Sequence, residues 1–375
     1  MGWAALSELV PYYPLYALLF LDTGLSDPQV SALFAVWSVT GLLTEVPAGA
    51  LADRWSRRGV LVLAGVLQAA GFAVWTAAPA TAAFVVGFVL WGVAGALMSG
   101  AAEALVYEGL AEHEATGCYA RVSGWMTAAE LLVQVPTAVA ASALYALGGY
   151  PLVGWASVAI CLAAAALALR FPEPPRPAAD ENDDPAASLG GTLRQGLREA
   201  LRRPSLRLVV LAVALLGGLD AMEEYFPVMA REWGVPTTAV PAAVVAVALA
   251  GALGAALAGR AAMLPTSGLP ALLILAGLCL AGAAAWGRPA GLAAVAVGYG
   301  LYLAVLVVGE ARLQDRITGP NRATVTSVAG LGIELASLPV FAAWALGGAG
   351  AVAVLVVAVV PVVAAGLRAR AQPTG

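Results

Sequence analysis

Several acidic side chains stand where the chain gives them no water. Glu130, Glu334, Asp220, Glu223 and Glu224 each fall inside an apolar stretch of about twenty residues, enough to cross ~30 Å of hydrocarbon. An ionisable group at that depth costs several kcal/mol and is by default a candidate for function. A carboxyl in low dielectric favours its protonated form, so it can hold a proton and exchange it for a cationic ligand as solvent access changes. A protonated Glu can equally serve as a hydrogen-bonding strut between helices. The residue types alone leave both roles open.

Spacing groups these acids with other polar residues. Thr127, Glu130, Gln134 and Thr137 follow one another at steps of three, four and three, which is one face of a helix. Ser327, Gly330, Glu334 and Ser337 form a similar stripe, and Asp220 precedes Glu223 and Glu224 by three and four. At ~1.5 Å per residue, Glu130 and Glu334 lie roughly 13 to 18 Å from the nearer end of their spans, near the midplane. Tyr12, Tyr13, Tyr16 and Phe20 in the first span, with Tyr299 and Tyr302 in the tenth, offer stacking surface, although Tyr near a span end is more often an interface anchor. The excess of buried acid over base suits an amphipathic cation. A sugar or anion site would more comfortably hold Arg or Lys.

The elements that must position these residues are membrane helices. The chain has 375 residues, 61% hydrophobic and 11% charged, with a mean hydropathy of +0.87, far from the composition of soluble domains. Apolar stretches predict spans at 4 to 23, 28 to 51, 59 to 78, 81 to 107, 120 to 147 and 151 to 170. They resume at 206 to 230, 237 to 260, 268 to 286, 290 to 314, 323 to 347 and 350 to 367. The fold class is therefore all-α, twelve spans in two six-helix bundles, 1–170 and 206–375. Between them, 171–205 opens with prolines and acids that cannot form a core. It continues with Arg194, Arg198, Arg202 and Arg203 beside Leu193, Leu197 and Leu201, as expected of a short amphipathic helix on an anionic leaflet or of a solvated one. The first span lacks a basic leader and a cleavage site and is expected to be retained.

All 19 basic residues are arginine, which beside abundant Ala, Gly, Val and Leu suggests a high-G+C bacterial genome. Every one except Arg231 and Arg288 falls on the same side of an alternating topology. That side is expected to be cytoplasmic, with both chain ends on it. The inner membrane is the expected location.

The two halves align weakly with each other. Glu103 pairs with Glu310, Glu108 with Asp315, Arg121-Val-Ser with Arg322-Ala-Thr, and Ala50 to Arg54 with Ala256 to Arg260. Such a repeat implies parallel halves about an axis along the membrane normal. The segment Gly49-Ala-Leu-Ala-Asp53-Arg54-Trp-Ser-Arg57-Arg58 then resembles the loop between the second and third helices of the major facilitator superfamily. Ser56 stands where that pattern has Gly, and the flanking Glu45-Val-Pro47 and Arg322-Ala-Thr-Val resemble actinobacterial drug-resistance permeases.

The resemblance implies a secondary active transporter working by alternating access, with Gly49, Asp53, Arg54, Arg57, Arg58, Arg121, Glu103, Glu310 and Arg322 in a conformational latch. Gly49 would let its helix approach a neighbour closely, and Asp53 would accept hydrogen bonds from a helix N-terminus of the other half. Its ion partner is expected to be Arg121, since the fourth span holds no base. Those arginines would also enforce topology and meet lipid headgroups. The fifth span lacks the Gly-Pro-rich antiporter signature of many drug/proton exchangers, and Gly259 replaces the acid in the second copy of the loop.

Proton-coupled efflux of small amphipathic or cationic molecules is the expected function. An importer or facilitator of a small metabolite, or a non-transporting receptor or scaffold, are the alternatives. No HExxH, GxSxG or His/Cys cluster supports an enzyme. Cys118, Cys161 and Cys279 lack metal-site spacing, and His113 lies in a loop expected to be solvated. The expected partners are a small-molecule substrate, protons and the lipid bilayer, with no cofactor, no metal and no nucleic acid, in a monomer.

Overall fold

The structure is a computed structural model that describes residues 1–172, 204–265, 267–317 and 322–368. The amphipathic stretch expected in 171–205, and the side chains of Asp53, Arg54 and Arg322, lie outside the described part. The chain divides into two compact units, Met1–Leu189 with Pro236–Ala242, and Gly190–Val235 with Ala243–Gly375.

In the first unit, α1 (Gly2–Glu8) and α2 (Tyr16–Asp22) precede α3 (Asp27–Arg54), α4 (Arg57–Ala77), α5 (Thr81–Glu112) and α6 (Tyr119–Ala168). The continuous span expected at 4 to 23 is therefore broken over 9 to 15, where Pro11 and Pro14 withhold backbone donors. Residues for starting helices sit at the other entries: Gln29 Oε1 accepts from the Ser26 N–H ahead of α3, and Ser56 Oγ accepts from Gly59 N–H at the start of α4. The fifth and sixth expected spans form one element, α6, turned between them at Gly148 and Gly149 (φ 61°), a left-handed backbone open to glycine.

The second unit runs α7 (Pro204–Leu219), a 3-10 stretch Asp220–Tyr225, α8 (Phe226–Glu232), α9 (Val240–Ala256) and α10 (Ala258–Ala262). Then come α11 (Gly268–Trp286), α12 (Gly291–Arg316), α13 (Arg322–Ala358) and α14 (Val360–Gly366). The α13 element turns at Gly347 and Gly348 (φ 57°) as α6 does. The expected seventh span is thus interrupted at its acids. Among the described residues, seven helical stretches are long and apolar enough by themselves to cross a membrane.

The first unit packs α4 on α5 and α6, α3 on α5, and α1 on α6. At one end its core is aromatic, with Phe20 and Phe84 centroids 4.3 Å apart and Trp75 edge-on to Phe88 at 4.8 Å. The other end is rich in alanine, where Ala52, Ala64, Ala94, Ala101 and Ala168 let helices approach closely. In the second unit α7 lies against α13, and α11 against α12 and α13. A Cβ at Gly218 would fall 2.5 Å from the Ala336 backbone, so glycine sets the distance between α7 and α13. Outward-facing leucines are almost bare, Leu147 at 80% and Leu346 at 88% exposed. Hydrocarbon, not water, is the solvent such surfaces tolerate.

Candidate functional site

Both units place acids at a break in their first helix. In the first unit α1 stops at Glu8, and side chains from α6 satisfy the irregular backbone that follows. Thr137 Oγ1 donates to Glu8 O (3.4 Å) and Ser157 Oγ accepts from Tyr12 N–H (3.1 Å). Tyr12 Oη and Thr76 Oγ1 lie 3.0 Å apart, and Gln68 Nε2 donates to Tyr13 Oη (2.9 Å). The Glu8 carboxyl is within electrostatic range of Glu130.

Glu8 was not among the candidates from the sequence. Its signal was present, an acid inside an apolar stretch, but nearness to the chain start disguised it as a helix end. Glu130 is half-buried and Gln134 exposed, while Thr137, on the same stripe, is buried. Tyr12 and Tyr16 are enclosed, 0% and 3% exposed. Tyr16 packs among Phe34, Trp75 and Phe88, so both belong to the packed interior of their unit rather than to a stacking surface on it.

In the second unit Asp220, Glu223 and Glu224 all lie on the 3-10 stretch after α7. Tyr299, from α12, donates its hydroxyl to Asp220 Oδ1 (2.9 Å) with Glu223 Oε2 at 3.3 Å. Tyr302 donates to Leu216 O (2.7 Å), a carbonyl freed where α7 ends. One hydroxyl proton serves one acceptor at a time. The second carboxyl can bond to the Tyr299 oxygen only by donating, that is, when it carries a proton itself. The arrangement therefore accommodates one proton on the acid pair through a reorientation of hydrogen bonds. Glu224 is half-buried and Glu334, on α13, is exposed.

Arg57 Nη2 lies 2.6 Å from Glu108 Oε1, and Arg58 Nη1 donates to Phe171 O (3.3 Å), both within the first unit. Glu310 falls within electrostatic range of Asp220. Glu103 and Arg121 are exposed. Among the described residues a Cβ at Gly49 would meet nothing within 4 Å. Arginines overlooked in the sequence have clear work, since Arg312 donates to Leu367 O, and Arg316 to Gly366 O and Arg368 O, at the end of α14.

The family model described as Major Facilitator Superfamily matches residues 2–338. No curated protein matches the chain. Among solved structures, the nucleoside transporter NupG is similar with a TM-score of 0.73 at 12% identity, covering 97% of this chain and 95% of that one. A bacterial homologue of the human lysosomal transporter Spinster, in an inward-facing, unoccupied conformation, gives 0.71 at 15% identity, with 97% and 93% covered. A D-xylose-proton symporter gives 0.66 at 15%, with 96% and 95% covered. At these identities the likeness is one of fold.

Proposed function

The chain belongs to the Major Facilitator Superfamily, and from that premise we propose that it is a proton-coupled exporter of small amphipathic or cationic molecules working by alternating access. Membership makes it a multi-pass membrane transporter and not an enzyme. Twelve spans in the bacterial cytoplasmic membrane, with both chain ends on the cytoplasmic side, complete the reading, and the arginine asymmetry supports that orientation. Substrate and protons are its partners, and it acts as a monomer.

The observation that carries the reading is the Asp220, Glu223 and Tyr299 cluster at a helix break. Irregular backbone at membrane depth is tolerated where it is packed by protein or lines a cavity, and acids placed there suit proton exchange against a cation. Glu130 on its polar stripe is the candidate group of the first unit, with Gln134 beside it. Asp53, Arg54 and Arg322 are assigned to the latch on the arginine-bearing face.

Reconstitution tests this directly. Proteoliposomes with an acid lumen and a clamped membrane potential should accumulate ethidium against its gradient, and collapse of the pH difference should release it. Unchanged ethidium distribution, together with counterflow of a sugar or nucleoside, would replace this reading with that of a metabolite carrier.

A further inference from the structure

The aromatic core of the first unit has an open edge. Phe20, Phe34, Phe72, Trp75 and Phe88 are all 0% exposed, whereas Tyr13 in the break after α1, Trp37 on α3 and Trp91 on α5 are half-buried. These three rings lie one on another. Tyr13 and Trp91 stack with centroids 5.5 Å apart and planes 8° apart, and Trp91 and Trp37 stack at 4.9 Å and 29°. Trp91 is common to both pairs, and among the described residues Trp37 stacks on no other ring, Phe88 being tilted to it at 6.2 Å. Both ends of the run are held. Gln68 Nε2 donates to Tyr13 Oη (2.9 Å), and a Cβ at Gly92 would fall 2.9 Å from Thr40 Cβ and 3.0 Å from Trp37 O, so glycine lets α3 and α5 meet beside the indoles.

Depth limits what this edge can meet. Trp37 and Trp91 each stand ten residues past the first of their helices, Asp27 and Thr81, which is ~15 Å at ~1.5 Å per residue and half of a ~30 Å hydrocarbon layer. Tryptophan and tyrosine that anchor a protein in its bilayer sit at the interfaces, not at mid-depth. The indole donors point the same way. Buried Trp75 donates its N–H to Phe84 O (3.2 Å), while among the described residues the indoles of Trp37 and Trp91 make no hydrogen bond. Acyl chains would leave such donors unsatisfied, and water or a polar ligand would not. Charge is one-sided as well, since between Asp27 and Arg54 in α3 and throughout α5 every ionisable residue is an acid.

We propose that Trp37, backed by Trp91 and Tyr13, is a stacking surface for a flat aromatic cation, whose ring lengthens the run by one member and whose charge lies over the indole face. The negative face of an indole attracts a cation within ~6 Å, and the attraction grows when water is excluded. The inference deepens the exporter reading and rests on it for its role in transport, narrowing the substrate class to planar aromatic cations. An acyl chain is the competing occupant of the same face.

Equilibrium binding of ethidium to the full protein in detergent, with no pH difference, tests the surface apart from transport. Wild type should bind ethidium with quenching of its tryptophan emission. Trp37→Leu keeps apolar bulk but removes the ring and should weaken binding about tenfold, whereas Trp37→Phe keeps a ring and should weaken it only about two- to threefold. A second measurement holds if the leucine variant does not fold. The emission that wild type loses on Trp37→Phe substitution belongs to Trp37, and in bilayers of lipid brominated at mid-chain that emission should persist. Its disappearance there would place acyl chains on Trp37 and overturn the proposal. Equal ethidium affinity in Trp37→Leu and wild type, or no binding by wild type, would overturn it too. Binding without pH-driven export would instead remove the exporter reading and leave the stacking surface standing.

Discussion

Arg57 of α4 reaches across to Glu108 near the end of α5, Nη2 to Oε1 at 2.6 Å, with the side chains 14% and 33% exposed. The loop between α3 and α4 is thereby tied to its own unit. Arg58, the next residue, donates to the Phe171 carbonyl in the same unit. Two of the arginines that resemble the superfamily loop thus have partners within their own unit.

Charge exchange tests the pairing of Arg57 with Glu108. A partly exposed pair stabilises the fold by about 1 kcal/mol or less, yet a bias of ~1 kcal/mol on a two-state equilibrium moves populations about fivefold. Arg57→Glu or Glu108→Arg alone should slow ethidium export about fivefold with little change in thermal stability, and the double exchange should recover most of the rate. Distances between spin labels on the arginine-bearing face should track the same order, with Asp53→Asn shifting them at wild-type expression. A double exchange as slow as the worse single variant would refute the pairing.

Glycine contacts give a stability prediction. A methyl at Gly254 of α9 would overlap the Gly300 carbonyl of α12, whereas at Gly282 of α11 it would meet nothing within 4 Å. Gly254→Ala should destabilise by roughly 1 to 3 kcal/mol through overpacking. Gly282→Ala should be neutral or slightly stabilising, since Ala is the better helix former by ~1 kcal/mol. Thermal unfolding in detergent compares them, and equal midpoints would mean that α9 and α12 can separate freely.

The arginines at the end of α14 predict local rather than global behaviour. Arg312 and Arg316 bond the carbonyls of Gly366, Leu367 and Arg368 that the helix leaves unsatisfied. Arg316→Ala should raise amide exchange over 360–367 while leaving α11 unchanged. Unaltered exchange in that segment would mean that solvent satisfies those carbonyls equally well.

The places where sequence reading succeeded and failed follow from what each signal measures. Hydropathy located the apolar stretches but averaged over their breaks. It read 4 to 23 as one span, although Pro11 and Pro14 already marked the interruption at 9 to 15. The repeat Ala146-Leu147-Gly148-Gly149 and Ala345-Leu346-Gly347-Gly348 marks the same left-handed turn in both units, a clearer internal match than the charged blocks used to align them. Helical spacing grouped Glu130 with Thr127, Gln134 and Thr137, and Asp220 with Glu223 and Glu224. It could not show that Tyr299 closes on Asp220 or that Arg57 meets Glu108, because those partners come from other helices and only packing brings them together.

Tyr299 is where positioning and structure can be separated. Tyr299→Phe keeps the ring that meets Phe226 edge-on at 5.0 Å and stacks on Tyr302 at 5.8 Å, and removes the hydroxyl that binds both acids. If that hydroxyl serves only stability, the variant should lose about 1 kcal/mol in thermal unfolding, and the pH dependence of ethidium export should keep its shape. If it orders the proton-exchanging pair, the pH profile should move and the pH-driven rate should fall several-fold more than affinity for ethidium. Asp220→Asn supplies the second arm, since it keeps an acceptor for Tyr299 but cannot take up or release the proton. With both residues in one unit, the double variant should be no slower than Asp220→Asn alone, the non-additivity expected of contacting groups. Additive losses, or a Tyr299→Phe profile that overlays wild type, would confine Tyr299 to packing.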